Sequence, residues 1–134
     1  MLSFPMITAD HRLNELRDVL DLIPGEGLVW SVFEFYAFGA GPDGTPLDDF
    51  EAQVRANPLG YTLAWPQLLE FARGIRQTVE CALVAVERAE DLVADAPERR
   101  LGEFVILGLD CTAWELSGAR FGPELETRFR AEFL

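Results

Sequence analysis

Residues 102–118 read GEFVILGLDCTAWELSG, and the fold turns on whether this stretch is a pair of strands or a cluster of reactive groups. An acid, a thiol, a hydroxyl, an indole and a second acid fall between Asp110 and Glu115, inside an otherwise apolar run. The flanks are rich in β-branched and aromatic residues and bounded by glycines, which is strand composition. The spacing predicts strands from Glu103 to Cys111 and from Ala113 to Ser117. In a straight strand, Cys111, Ala113 and Glu115 share one face, and Asp110, Thr112 and Trp114 the other. A turn or bulge around Thr112 changes that parity.

Working outward, LVWSVFEFYAFG (28–39) is apolar on both faces except at Ser31 and Glu34, so it predicts a central strand from Leu28 to Phe38. CALVAVE predicts another, from Glu80 to Val86. Helical spacing appears in ITADHRLNELRDVLDLIPGEG, where Leu13, Leu16, Leu20 and Ile23 form a stripe, Thr8 or Asp10 is the cap, and Pro24-Gly25 is the stop. GTPLDDFEAQVRANPLG predicts a short helix, with Thr45 as cap, Pro46 at the first position and Asp48 completing a capping-box-like pattern. WPQLLEFARGIRQTV places Leu68, Ala72, Ile75 and Val79 on one helical stripe, with Gly74 weakening it. GPELETRFRAEFL ends the chain as a helix with Leu125, Phe129 and Phe133 inward. ERAEDLVADAPERR fits either a helical turn or an exposed loop. These elements predict an α+β fold: one domain over residues 1–134, with a mainly antiparallel sheet of about four strands and helices packed on it.

A chain of 134 residues, 49% apolar with 10 Phe and 3 Trp, buries roughly two thirds of its unfolded surface and needs no metal or disulfide to fold. The 23 acids face 11 bases, a net charge of −12, and every base is arginine. Such a field repels phosphate backbones and anionic headgroups, so nucleic acid and membrane surfaces are not expected partners, whereas a basic protein is steered inward. The N-terminus MLSFPMITADHR lacks the pattern of a secretion signal, and no apolar run approaches the roughly 20 residues of a membrane helix. Two separated cysteines make no disulfide framework, and a soluble cytoplasmic protein is expected.

The motifs that could carry chemistry have structural explanations beside them. GAGPDG (39–44) matches G-x-G-x-x-G, yet its helix begins only near Pro46, and Asp43, Asp48, Asp49 and Glu51 would surround a phosphate with negative charge. The same four carboxylates lack the alternating ligands of a calcium loop and suit a solvated helix N-terminus. As the densest acidic run, they are the candidate partner-binding residues. Cys111 as a nucleophile needs a base, and His11 is the only histidine; burial in the core is the simpler role for Cys111 and for Cys81. No zinc site of ordinary spacing can be assembled, and no metal or cofactor is expected. Glu34, between Phe33, Phe35 and Tyr36, either faces solvent from an edge-strand position or, if buried, needs several donors or an arginine such as Arg73 or Arg76, or else its pKa rises. With Asp110 or Glu115 on a neighbouring strand it could form an acid pair. A candidate pocket is therefore Trp30, Glu34, Tyr36, Trp65, Asp110, Trp114 and Glu115.

WPQLLEFARGI followed by an apolar strand, then DCTAWEL, then a terminal helix ending near a phenylalanine, resembles a loose group of small bacterial proteins, some of them immunity proteins that neutralise a toxin. Trp65, Asp110, Trp114 and Glu115 carry the likeness, which covers the C-terminal half; Cys111 and Thr112 stand where small hydroxyl residues are expected. The resemblance implies an inhibitor role and no catalytic residue. The balance of these readings favours a non-enzymatic interaction protein that presents an acidic surface to a basic partner. The alternatives are a small-ligand-binding domain or enzyme using the aromatic pocket, and a homodimeric module.

Overall fold

The computed structural model describes residues 1–94 and 102–134. Its centre is one antiparallel sheet of six strands, β1 (Leu2–Pro5), β2 (Val29–Gly39), β3 (Tyr61–Ala64), β4 (Ile75–Val86), β5 (Phe104–Leu109) and β6 (Ala113–Ser117), in the order β1-β6-β5-β4-β2-β3. Four helices are described: α1 (Leu16–Leu20), α2 (Leu47–Ala56), α3 (Trp65–Arg73) and α4 (Pro123–Phe133). The α+β class stands, and the expected four strands become six. Both additional strands have four residues and lie at the edges. So short a run carries little periodicity, and β1 finds its partner, β6, more than a hundred residues away.

The first helix is also shorter than its pattern. Residues Thr8 to Arg12 form a tight loop, with Arg12 N–H donating to the Thr8 hydroxyl and an Ile7–Leu13 bridge closing it. The helix starts only after Glu15, whose N–H donates to Asp18 Oδ2 at 2.8 Å. Leu16, Leu20 and Ile23 are buried as their spacing requires. α2 begins one residue after Pro46, and no side chain caps it, so Thr45 is not its cap. α3 stops at Arg73, and Gly74 ends it rather than weakening it. Ile75 and Val79 therefore belong to β4, which extends five residues earlier than expected. Within 87–100, Ala89–Asp91 forms one 3₁₀ turn and Leu92 is buried; residues 95–101 lie outside the described residues.

All four helices pack on one face of the sheet. Leu16, Val19, Phe50, Val54, Leu68, Phe71, Leu125 and Phe129 share a cluster with Trp30, Leu83, Ile106 and Trp114. Two indoles anchor it: Trp30 Nε1 donates to Gly25 O at 3.1 Å, and Trp114 Nε1 donates to Asn14 O at 2.9 Å. The bond from Trp114 holds the first loop against the sixth strand. Gly25 is required by close approach, since a Cβ there would lie 2.5 Å from the Trp65 ring and 2.8 Å from that of Trp30.

Candidate functional site

The opposite face of the sheet carries a smaller apolar cluster, Val84, Val86 and Val105, with Leu92 of the β4–β5 connection buried against them. Val29, Phe33 and Leu107 pack at its margin. β2 reaches this face through a bulge. Val32 pairs with Leu83 and Glu34 with Ala82, so Phe33 is an additional residue in β2. Phe33 and Glu34 consequently both turn away from the helices, and Phe35 returns to the core against Phe50 and Phe71. This is how a segment rich in aromatics on both faces accommodates a carboxylate.

Beyond the valine cluster no element among the described residues covers the face. Tyr36 and Phe38 flank the buried Ala37 and are each 51% exposed, their ring centroids 6.2 Å apart. Tyr36 pairs with Glu80 on β4. Leu109, 36% exposed, follows Gly108, the partner of Cys81, and so stands beside Glu80 on its other side. Asp110 closes the patch: its backbone N–H donates to Glu80 Oε1 at 3.1 Å. Two exposed rings and an exposed leucine thus surround a half-buried carboxylate that the β5–β6 turn holds in place.

Across that turn Leu109 pairs with Ala113, so residues 102–118 keep the even–odd alternation of a straight strand. Asp110 and Cys111 have φ of 47° and 60°, and Thr112 N–H returns to Leu109 O at 2.8 Å, the signature of a type I′ hairpin. The reversal therefore comes at Asp110-Cys111. Trp114 enters the helical face fully buried, while Glu115 lies half-buried on the other, in one cross-sheet row with Leu107, Ala82 and Glu34. Three strand spacings of about 4.8 Å separate Glu34 from Glu115, too far for an acid pair.

The seven residues of the expected pocket do not form one site, although Trp30 packs on Trp65 with ring centroids 5.3 Å apart. Trp30, Trp65 and Trp114 are core side chains on the helical face. Glu34, Tyr36, Asp110 and Glu115 belong to the opposite face or its rim, because alternation along β2 and β6 sends neighbours to different sides. Glu34 is exposed rather than enclosed. The expected acidic run also divides. Asp43, Asp48 and Asp49 are exposed, but Glu51 is only 9% exposed, turned inward beside Phe50 and Val54 of α2.

Cys81 is fully buried, and burial first, then the nearby Glu34 and Glu80 carboxylates, pushes its thiol up from the usual range. Cys111 is half-buried at the turn, not in a strand core. No hydrogen bond joins it to His11, which is exposed in the Thr8–Arg12 loop. In that loop the Thr8 hydroxyl donates to Asp10 and holds its carboxyl below the usual range. Among the described residues no group of three or more His, Cys, Asp or Glu side chains is placed to hold a metal ion. None of their helices is long and apolar enough to cross a membrane.

The GAGPDG loop forms a 3₁₀ turn at Pro42–Gly44, and its amides are taken within the protein: Gly41 N–H reaches Thr45 O, Thr45 N–H reaches Pro42 O, and Ala40 N–H reaches Gly74 O. It borders an open groove of about 760 Å³ with Tyr61, Pro66, Gln67 and Arg73. Sequence reasoning did not single out this groove, or Phe38, Glu80 and Leu109. The register that assembles those three is set by bulges in β2 and β4, which no local pattern marks. No family model, curated protein or solved structure matches the chain.

Proposed function

We propose that this is a non-enzymatic interaction protein, of the immunity or inhibitor kind, that captures a basic protein partner. One observation supports the reading above others: exposed Tyr36, Phe38 and Leu109 gather around Glu80 and Asp110 on the sheet face opposite the helices. Stable interfaces combine apolar anchors with charges that steer encounter. The Asp43, Asp48 and Asp49 surface offers charge alone, and is the secondary contact in this reading. With 23 acids against 11 arginines, the long-range field attracts a cationic partner before the anchors engage.

Reconstitution with partner proteins recovered by affinity capture tests this. A stoichiometric complex with a basic protein, associating at least tenfold more slowly when salt rises from about 0.05 M to about 0.5 M, supports the proposal. A stoichiometric complex whose association is insensitive to salt, or turnover of a small molecule in the groove beside Gly41 and Tyr61, refutes it. The groove is the observation that favours a second reading, small-ligand binding. A homodimer through the sheet face would oppose the carboxylates of two copies, so a basic partner is the better fit for it.

A further inference from the structure

We propose that the patch of Tyr36, Phe38, Glu80, Leu109 and Asp110 is an arginine-recognition site, and that the partner inserts a guanidinium over Tyr36 against Glu80. This rests on the interaction-protein reading and specifies its ligand. Tyr36 and Phe38 are neighbours on the same side of β2, half-exposed, and tilted by 47° with centroids 6.2 Å apart, so they do not close into a stack on each other. A ring face attracts a cation, and a planar, weakly hydrated guanidinium stacks on it better than an ammonium does.

Glu80 supplies the charge in a fixed position. It is directly opposite Tyr36 in the β2–β4 register, about 5 Å across the strands, and its Oε1 already accepts the Asp110 N–H. The carboxylate is therefore oriented before any partner arrives, which lowers the ordering cost of binding. Asp110 adds negative potential at the rim. Among the described residues, exposed Arg76, just before Gln77, the partner of Phe38, is a base on this end of β4, and it supplies one positive charge against the carboxylates of Glu80 and Asp110. Leu109 completes the surface with an aliphatic wall, able to cover the methylene stem of an arginine or an apolar residue beside it.

The experiment uses the full chain, isotope-labelled, titrated with a short arginine–leucine peptide and followed by amide chemical shifts. The matched peptides carry lysine or uncharged citrulline in place of arginine. The expected result is shifts centred on Tyr36, Phe38, Glu80 and Leu109, with binding at least several-fold tighter for arginine than for lysine and absent for citrulline. Glu80→Gln keeps an acceptor for Asp110 N–H and should weaken arginine binding about tenfold; Tyr36→Ala, at an exposed position, should do the same. Equal binding of lysine and arginine peptides would overturn arginine recognition while leaving capture of a basic partner standing. Shifts confined to Asp43, Asp48 and Asp49 would overturn this site and keep that broader reading. Absence of binding by either cationic peptide would overturn both.

Discussion

Cys111 occupies a conformation that suits another residue. At φ 60° it is the second central position of a type I′ turn, where glycine is preferred because an L side chain costs roughly 1–2 kcal/mol in the left-handed region. Cys111→Gly should therefore stabilise the chain by about 0.5–1 kcal/mol once the extra freedom of glycine in the unfolded chain is counted. Urea denaturation, with unchanged slope, is the check. Cys81 makes a different prediction. Its thiol is held protonated in the fold well above the ordinary value of 9.0. The unfolded chain loses that proton as pH passes 9 while the native state retains it, so this contribution is complete below the unfolded value and is lost as pH rises. Stability should fall by up to about 1.4 kcal/mol per pH unit more steeply in the wild type than in Cys81→Ala over that alkaline range. Parallel pH profiles in the two proteins would show that the thiol is not so held.

At the scale of elements, β1 is the piece whose role depends most on distant chain. Leu2, Phe4 and Met6 are buried, and Phe4 stacks on Phe133 with ring centroids 4.6 Å apart, with Phe129 at 6.0 Å. The strand thus clamps α4 to the sheet edge. Phe4→Ala should cost about 3–5 kcal/mol and should accelerate hydrogen exchange in β1 and α4 together. If α4 amides kept their protection while those of β1 lost it, the clamp would be disproved. The strands from Leu28 to Phe38 and from Ala113 to Ser117 could be read in advance because each is framed by turn residues and filled with strand formers. β1 and β3 could not, because four residues give no measurable period. The helix over ADHRLNELRDVLDL is shortened to Leu16–Leu20 for a related reason: the spacing of Leu13, Leu16 and Leu20 is satisfied equally by a loop packing Leu13 and a short helix packing the others.

At the scale of the molecule, excess negative charge is the dominant electrostatic fact. The arginines pair with acids at the surface, as in Arg17–Glu15, Arg73–Glu70, Arg120–Glu87 and Arg130–Glu126, and such exposed pairs are each worth about 0–1 kcal/mol. Self-repulsion across a net charge of −12 should exceed them, so raising salt from about 0.01 M to about 0.5 M should increase the melting temperature. A falling melting temperature would show that the ion pairs prevail.

The sequence by itself determined the class of fold, the net field and most of the core, because composition, charge and the period of apolar residues are local quantities. Of the candidate site it disclosed Tyr36, Asp110 and the acids on their strands, though grouped with tryptophans that belong to the other face. Only the tertiary structure decided the grouping. Bulges at Phe33 and Val79 each shift side-chain parity by one residue, whereas across the β5–β6 turn Leu109 pairs with Ala113 and the alternation is kept. In a sheet, a shift of one residue exchanges inside for outside.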